Sequence, residues 1–303
     1  MKTVYVLSRK ESLYSTRRLV EAGVAKGWNI LVIDYLQCTI EIMKGELKIT
    51  YQGKELPVPD AIIPRIGASR TFFGTAIVRH FEMMGVFTTA GSLAITRSRD
   101  KLRALQILSK HGVDMPKTVF ASKGCVSDIK KLIGTPPWVL KILEGTQGVG
   151  VVLIDNQKAA KSVLDAFNGM NVNMLVQEYI GEAGGADIRA FVVNGKVIGA
   201  MKRQGAEGDF RSNLHQGGTA SLYEMNKSQK TIAIAAAKAM GLNVCGVDMI
   251  MSERGPLIME VNSSPGLQGI ESSTGINVAG EIMNFIESNT SDDKKNKKDN
   301  IGA

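Results

Sequence analysis

Cysteine is scarce in this chain. Three stand in 303 residues (Cys38, Cys125 and Cys245), with no CxxC pair and no cysteine–histidine cluster. So sparse and odd a set argues against a disulfide framework and a zinc site, and suits a reducing cytoplasm. Long apolar runs are also missing, and nothing approaches the ~18 residues of a membrane span. The opening Met1-Lys2-Thr3-Val4-Tyr5-Val6-Leu7 is apolar too briefly for a signal peptide and reads as a first strand. Aromatics make up only 6% and are not interleaved with basic residues. That counts against a non-catalytic RNA- or ribosome-binding protein, which would need a stacking platform. What remains is an ordinary globular composition, 44% hydrophobic and 22% charged, with a net charge of +8. The length allows two or three domains. The surplus of cations invites an anionic partner: a nucleotide, nucleic acid or acidic peptide.

Strands and helices alternate through the first hundred residues. Strands are expected at 4–7, 29–34 and 61–64, and helices at 13–26 and 71–85, which predicts a parallel α/β domain over residues 1–97. Ligands of such sheets sit beyond the carboxyl ends of the strands, where Arg9 and Arg65 fall. After Ser98 the pattern changes. Helices are expected at 100–110, 156–168, 231–241 and 277–287. Strands are expected at 138–143 and 174–180, and hairpins at 187–203 (turning at Asn194-Gly195) and 244–262. In the 231–241 helix, Ile232, Ala235, Ala236, Ala239 and Met240 share helical spacing. Residues 290–303 are rich in charge and poor in apolar side chains, and are expected to be a disordered tail.

The last hairpin concentrates oxygen-bearing side chains. With Glu253-Arg254-Gly255 as a three-residue loop, Ser252 pairs with Pro256 and Asp248 faces Glu260. Strand alternation then puts Asn262 on the same face, together with Ile250 and Ile258. No basic residue stands among the three oxygen ligands on either strand. Two carboxylates so placed either shift a pKa or bind a cation, and oxygen-only donors suit Mg²⁺. Lys141 interrupts an otherwise apolar strand, and snorkelling at a sheet edge would explain it. Glycines follow at 145, 148 and 150, in a loop whose N–H groups could cover phosphates, although it is neither a Walker A nor a GxGxxG sequence. Arg189, Lys202, Arg203 and Arg211 flank the Asn-Gly hairpin and the polar loop after it. Arginine forks at such places suit phosphate or carboxylate.

These segments resemble the ATP-grasp ligases, over residues 1–288, and within them the RimK-like group. The resemblance rests on Ile63-Pro64-Arg65-Ile66-Gly67, Arg99-Asp100-Lys101, Glu144-Gly145-Thr146-Gln147-Gly148, Gly208-Asp209-Phe210-Arg211-Ser212-Asn213 and Met259-Glu260-Val261-Asn262-Ser263-Ser264-Pro265-Gly266. Ser263 departs from the alanine often found in the family. The resemblance implies an α/β (α+β ATP-grasp) fold: an N-terminal parallel domain, then a two-lobed module with antiparallel sheets, its lobes at 98–181 and 182–289. It implies that Lys101 and Lys141 contact ATP phosphates and that Gly145, Gly148 and Gly150 lie in the loop closing over them. Gln177, Glu178, Tyr179 and Ile180 would hold adenine, with Asp187 near the ribose. Arg211, Ser212 and Asn213 would reach the phosphates, and Asp248, Glu260 and Asn262 would carry two Mg²⁺, or Mn²⁺ in their place. Arg203 is the catalytic candidate, and Arg9, Arg65, Arg189 and Arg203 are the candidates for substrate. The implied reaction is ADP-forming addition of L-glutamate to the C-terminal glutamate of ribosomal protein S six through an acylphosphate. Related ligases act instead on a cofactor, a peptide or a carrier protein. Neither a membrane nor nucleic acid is expected as a partner, and a homo-oligomer stays open.

Overall fold

The computed structural model describes residues 1–121, 126–143, 150–170, 172–206, 208–212 and 217–290. The N-terminal strands Thr3–Leu7, Asn29–Ile33, Ala61–Pro64 and Phe87–Thr88 form a parallel sheet with Thr3–Leu7 central. Helices Tyr14–Ala25 and Thr71–Met83 connect them, as the alternation predicts. An additional antiparallel sheet, Cys38–Met43, Glu46–Tyr51 and Lys54–Glu55, is inserted before the third parallel strand. Its turns place Gly45 and Gly53 at positive φ, a conformation glycine adopts without a Cβ penalty.

A second sheet is wholly antiparallel, in the order Val151–Ile154, Trp138–Ile142, Met174–Glu178, Thr118–Phe120. Helices Val126–Ile133 and Gln157–Gly169 cover it, and Ile129, Trp138, Leu140, Leu164 and Val176 form a core of its own. The third sheet has five antiparallel strands, in the order Thr219–Leu222, Lys196–Gln204, Ala186–Val193, Val244–Ser252, Gly255–Asn262. Helices Lys227–Met240, Leu267–Thr274 and Val278–Asn289 pack against it or its neighbours. This sheet shares two cores with the N-terminal sheet. One joins Tyr5 and Phe81 to Ala236, Val247 and Met249; the other joins Val4 and Leu19 to Phe191 and Ile282. Across the seam, Tyr14 Oη and Arg18 Nε donate to Glu271. First and third sheets are thus welded together, while the second keeps a separate interior. Thr290, expected in the tail, accepts from the Lys2 ammonium at 2.8 and 2.9 Å, and residues 291–303 lie outside the described chain.

Two local expectations need correction. The helix expected at 231–241 begins at Lys227, because Asn226 and Gln229 form a reciprocal capping box. Its buried face includes Ala233, Ala236, Ala237 and Met240, and Ala235 is exposed. The last hairpin turns one residue tighter than expected, with Ser252 opposite Gly255 and Met251 opposite Pro256. A bulge between Asp248 and Met249 then adds a residue on the return strand, so Asp248 still faces Glu260. The two departures cancel at the acids but not before them. Ile258 pairs with Met249 and is buried in the core, away from the acids.

Candidate active site

One face of the five-stranded sheet carries six chemically active side chains. Asp187 lies directly across from Arg203, Arg189 across from Asp248, and Asp248 across from Glu260. Alternation adds Asn262. The strand order therefore brings two arginines to acids that have no basic residue on their own two strands. Arg189 Nε donates to Asp248 Oδ1 at 2.6 Å. Arg203 Nε donates to Asp187 Oδ1 at 2.7 Å, its Nη2 donates to Asp187 Oδ2, and the same Nη2 lies 3.1 Å from Asp248 Oδ2. Gly246 leaves room for this, since a Cβ there would meet Pro265 Cβ at 3.0 Å and Arg189 Cδ at 3.6 Å. Among the described residues the Nη1 groups of Arg189 and Arg203 make no hydrogen bond.

Burial sets the electrostatics. Asp187, Arg203 and Asp248 are buried. Burial holds the Asp187 carboxyl above the usual range, with Arg203 only partly offsetting it. Burial also opposes ionisation of Asp248, but the Arg189 and Arg203 guanidiniums outweigh it and bring its pKa down to about 2. Glu260 is exposed. Asn262 Nδ2 donates to Glu260 Oε1 at 2.8 Å and to Asp248 Oδ2 at 3.3 Å, tying the two acids together. Two carboxylates, with the Asn262 amide turned to present Oδ1 in place of Nδ2, would form an all-oxygen donor set that fits a hard divalent cation such as Mg²⁺. Among the described residues no group of three or more histidine, cysteine or acidic side chains is placed to hold a metal ion, so the set here consists of two acids and one amide. The Ser263 hydroxyl next in sequence is buried without a hydrogen-bond partner, and nothing in the structure explains it.

Cations face this sheet from elsewhere in the fold. Lys101 Nζ donates to the Leu143 carbonyl at 3.0 Å, at the end of the strand carrying Lys141. Burial lowers the pKa of both lysines, while the Glu260 charge pulls each back up. Lys141 pairs across its strands with Val151 and Leu175 and makes no hydrogen bond or ion pair among the described residues. The glycine loop joins two antiparallel strands. Gly150 is at φ +76° and accepts from Ile142 N–H; Gly145 and Gly148 fall outside the described residues.

The remaining candidates are scattered around these. Gln177 donates from Nε2 to Thr118 Oγ1 at 2.7 Å. Burial would raise the Glu178 carboxyl, but Arg254 and the Lys117 N–H, at 2.8 Å, hold it below its ordinary value. Tyr179 packs edge-on to Phe210, and Ile180 is buried. Arg211 is closed on Asp209 in the same loop, with Nε 3.0 Å from Oδ1. Ser212 hydrogen-bonds Asp187, and Asn213 is outside the described residues. Arg9 is exposed in the loop after the first strand and makes no ion pair among the described residues. Arg254 was invisible in the sequence as a partner of Glu178, since the two are 76 positions apart. Arg99, two residues before Lys101, has no local spacing that reveals its place beside the Ile66 carbonyl and Arg65.

Two family models together span most of the chain: a RimK PreATP-grasp domain over residues 1–95 and a RimK-like ATP-grasp domain over residues 98–286. The chain belongs to the RimK family of ATP-grasp ligases. A probable alpha-L-glutamate ligase of Saccharophagus degradans is 59% identical over 287 residues, covering 94% of this chain and 95% of that one. Another from Psychromonas ingrahamii is 56% identical over 295 residues, covering 97% and 98%. Among solved structures, the ATP-grasp ligase PsnB complexed with minimal precursor gives a TM-score of 0.75 at 18% identity, covering 96% of this chain and 99% of that one. D-alanine–D-alanine ligase from Bacillus anthracis complexed with ATP gives 0.66 at 18%, covering 96% and 97%. Both share the ATP-grasp fold with this RimK-family chain. As a member of the family the chain is an ADP-forming carboxylate–amine ligase. Among the described residues, no helix is long and apolar enough to cross a membrane.

Proposed function

We propose that this RimK-family chain adds L-glutamate to the C-terminal glutamate of an acidic protein acceptor, ribosomal protein S six, in the cytoplasm. The supporting observation is a single sheet face holding Asp187, Arg189, Arg203, Asp248, Glu260 and Asn262, with Lys101 and Lys141 in electrostatic reach of Glu260. The glutamate assignment draws on the relatives named probable alpha-L-glutamate ligase.

ATP sits between the second and third sheets in this reading. The strand end at Gln177, Glu178, Tyr179 and Ile180 holds adenine, and Asp187 faces the ribose. Because Arg254 and the Lys117 N–H already engage the Glu178 carboxylate, the backbone of 178–180 is the better donor and acceptor for the base. Lys101 and Lys141 neutralise phosphate oxygens, Gly145–Gly150 close over them, and Arg211, Ser212 and Asn213 approach from the other side. Asp248, Glu260 and Asn262 hold Mg²⁺, which supplies positive charge to the phosphate oxygens when bound; Mn²⁺ can replace it. The acceptor carboxylate takes the γ-phosphoryl group, and the glutamate amine displaces phosphate from the acylphosphate. Arg203 is anchored by Asp187 and Asp248 and keeps Nη1 uncommitted for the oxyanion that forms in that displacement. Positioning and charge neutralisation are the protein's contribution.

Purified chain, ATP, Mg²⁺, L-glutamate and a peptide ending in Glu-Glu provide the test. Mass spectrometry should find glutamate-sized extensions and stoichiometric ADP. The same peptide with an amidated C-terminus should not be extended; equal extension of both would overturn the acceptor assignment.

A further inference from the structure

The arginines around the cleft fall into two groups. Arg189, Arg203, Arg211 and Arg254 are each paired with a carboxylate. Among the described residues, Arg65 and Arg99 are not. Arg65 directly follows the strand Ala61–Pro64, at the carboxyl end of the parallel sheet, and is only partly exposed. Among the described residues its guanidinium makes neither an ion pair nor a hydrogen bond. Arg99 ends the helix Ser92–Arg99. Its Nη2 donates to the Ile66 carbonyl at 2.8 Å, and its Nε is buried with no partner. The bond to Ile66, next in sequence to Arg65, brings the Arg99 guanidinium to the backbone beside Arg65, close enough for its charge to act on Arg65. Burial, with Arg99 adding to it, lowers Arg65 to about 10, and burial lowers Arg99 too.

Counting charge shows what is missing. Arg99, Lys101 and Lys141 all sense one acid, Glu260, and Arg65 senses Arg99. Three cations therefore look to one carboxylate, which the proposed reaction commits to a divalent cation, and Arg65 faces only a like charge. Phosphate oxygens satisfy the lysines at the glycine loop. They leave the two guanidiniums, one just after the strand Ala61–Pro64 and one at the end of the helix Ser92–Arg99, off the strands of the second and third sheets. Half-buried forks kept together without an acid are suited to a planar anion.

We propose that Arg65 and Arg99 together clamp a substrate carboxylate that does not react, next to the carbonyl that does. The proposal rests on the ligase reading above. It adds Arg99 to the site and makes Arg65 half of a pair. Two sources share this chemistry: the side chain of the acceptor's terminal glutamate, or a carboxylate of the incoming amino acid.

The experiment compares steady-state kcat/KM in the full-length protein and in Arg65→Gln, Arg99→Gln and the corresponding lysine variants. One arm offers a peptide ending in glutamate against the same peptide ending in glutamine. The other offers L-glutamate against L-glutamine and against isoglutamine. In the arm that supplies the clamped group, wild type should prefer the carboxylate by at least about tenfold, as expected for charge-assisted hydrogen bonds. Each glutamine variant should reduce that preference to about threefold or less, lysine should restore part of it, and the KM for ATP should stay within about twofold. Arg65→Gln should melt no lower than wild type, because it removes like-charge repulsion, whereas Arg99→Gln should melt somewhat lower, because it also loses the bond to the Ile66 carbonyl. If a glutamine variant fails to fold, its lysine variant carries the comparison. Undiminished preference in every variant overturns the clamp, as does absence of any preference in wild type. A parallel rise in the KM for ATP would reassign the pair to phosphate. Wild type that forms no product with any substrate would overturn the ligase reading, and the clamp with it.

Discussion

Asp187 and Arg203 are cross-strand partners, and the same guanidinium that closes on Asp187 also reaches Asp248 from the next strand but one. Among the described residues Arg203 is therefore the one side chain ion-paired to two buried acids at once. Arg203→Met should destabilise the fold by about 3–5 kcal/mol, because it strands buried charge. Arg203→Lys should be milder in stability yet lose most turnover, since an ammonium cannot reproduce the fork. Urea unfolding and initial rates measured on both variants check this. A lysine variant with normal turnover would remove Arg203 from the reaction.

Glu260 and Asp248 should separate in their effects. Glu260→Gln leaves the unfolding midpoint unchanged, because the side chain is exposed, but lowers turnover by about a hundredfold or more even at saturating Mg²⁺. Asp248→Asn lowers both, since Arg189 and Arg203 lose their shared acid. Near-normal rates in either variant would refute the cation site.

Lys141 costs stability as a buried charge, and in the proposed reaction that cost serves ATP binding. Its pKa is lowered by burial, so below its folded pKa the protein bears an unfavourable charge. Lys141→Met should raise the melting temperature while weakening ATP binding by about tenfold or more in calorimetric titration. Wild-type affinity for ATP should also decline on the alkaline side before the ordinary lysine value of about 10.4, with proton uptake on binding there. Unchanged affinity in the variant would make Lys141 a snorkelling side chain.

Asp248 gives an acid-side signature. Its folded pKa of about 2 lies below the ordinary 3.8, so its ionised form stabilises the fold, fully above the unfolded value and progressively less as pH falls toward 2. The contribution is on the order of 2 kcal/mol. The stability gap between wild type and Asp248→Asn should be flat above pH 5 and shrink between pH 4 and 2. A gap independent of pH would mean that Asp248 is not held ionised by its arginines.

Much of this site was legible in the sequence because strand alternation and hairpin turns are local. Spacing placed Asp248, Glu260 and Asn262 on one face, although the pairing at the acids holds only because the tighter turn and the bulge cancel, and Lys141 stood out as a charge in an apolar strand. The partners of Arg189 and Arg203 depend instead on strand order, which no short pattern encodes. The Glu178–Arg254 pair and the inserted sheet from Cys38 to Glu55 depend on contacts or weak alternation that spacing does not resolve. Family resemblance, more than residue spacing, supplied the adenine and ribose assignments.

The bulge opposite Asp248 has a consequence for length changes in the final strand. Ile258 and Val261 both point into the core, so two consecutive residues, Met259 and Glu260, must turn the other way. Removing Met259 alone would let the strand run regularly and still present Glu260 and Asn262 to Asp248. Removing one residue between Gly255 and Ile258 instead would shift the apolar set by one and thrust its side chains toward the wrong face. Met259 is thus the single position where this strand can be shortened without inverting its chemistry.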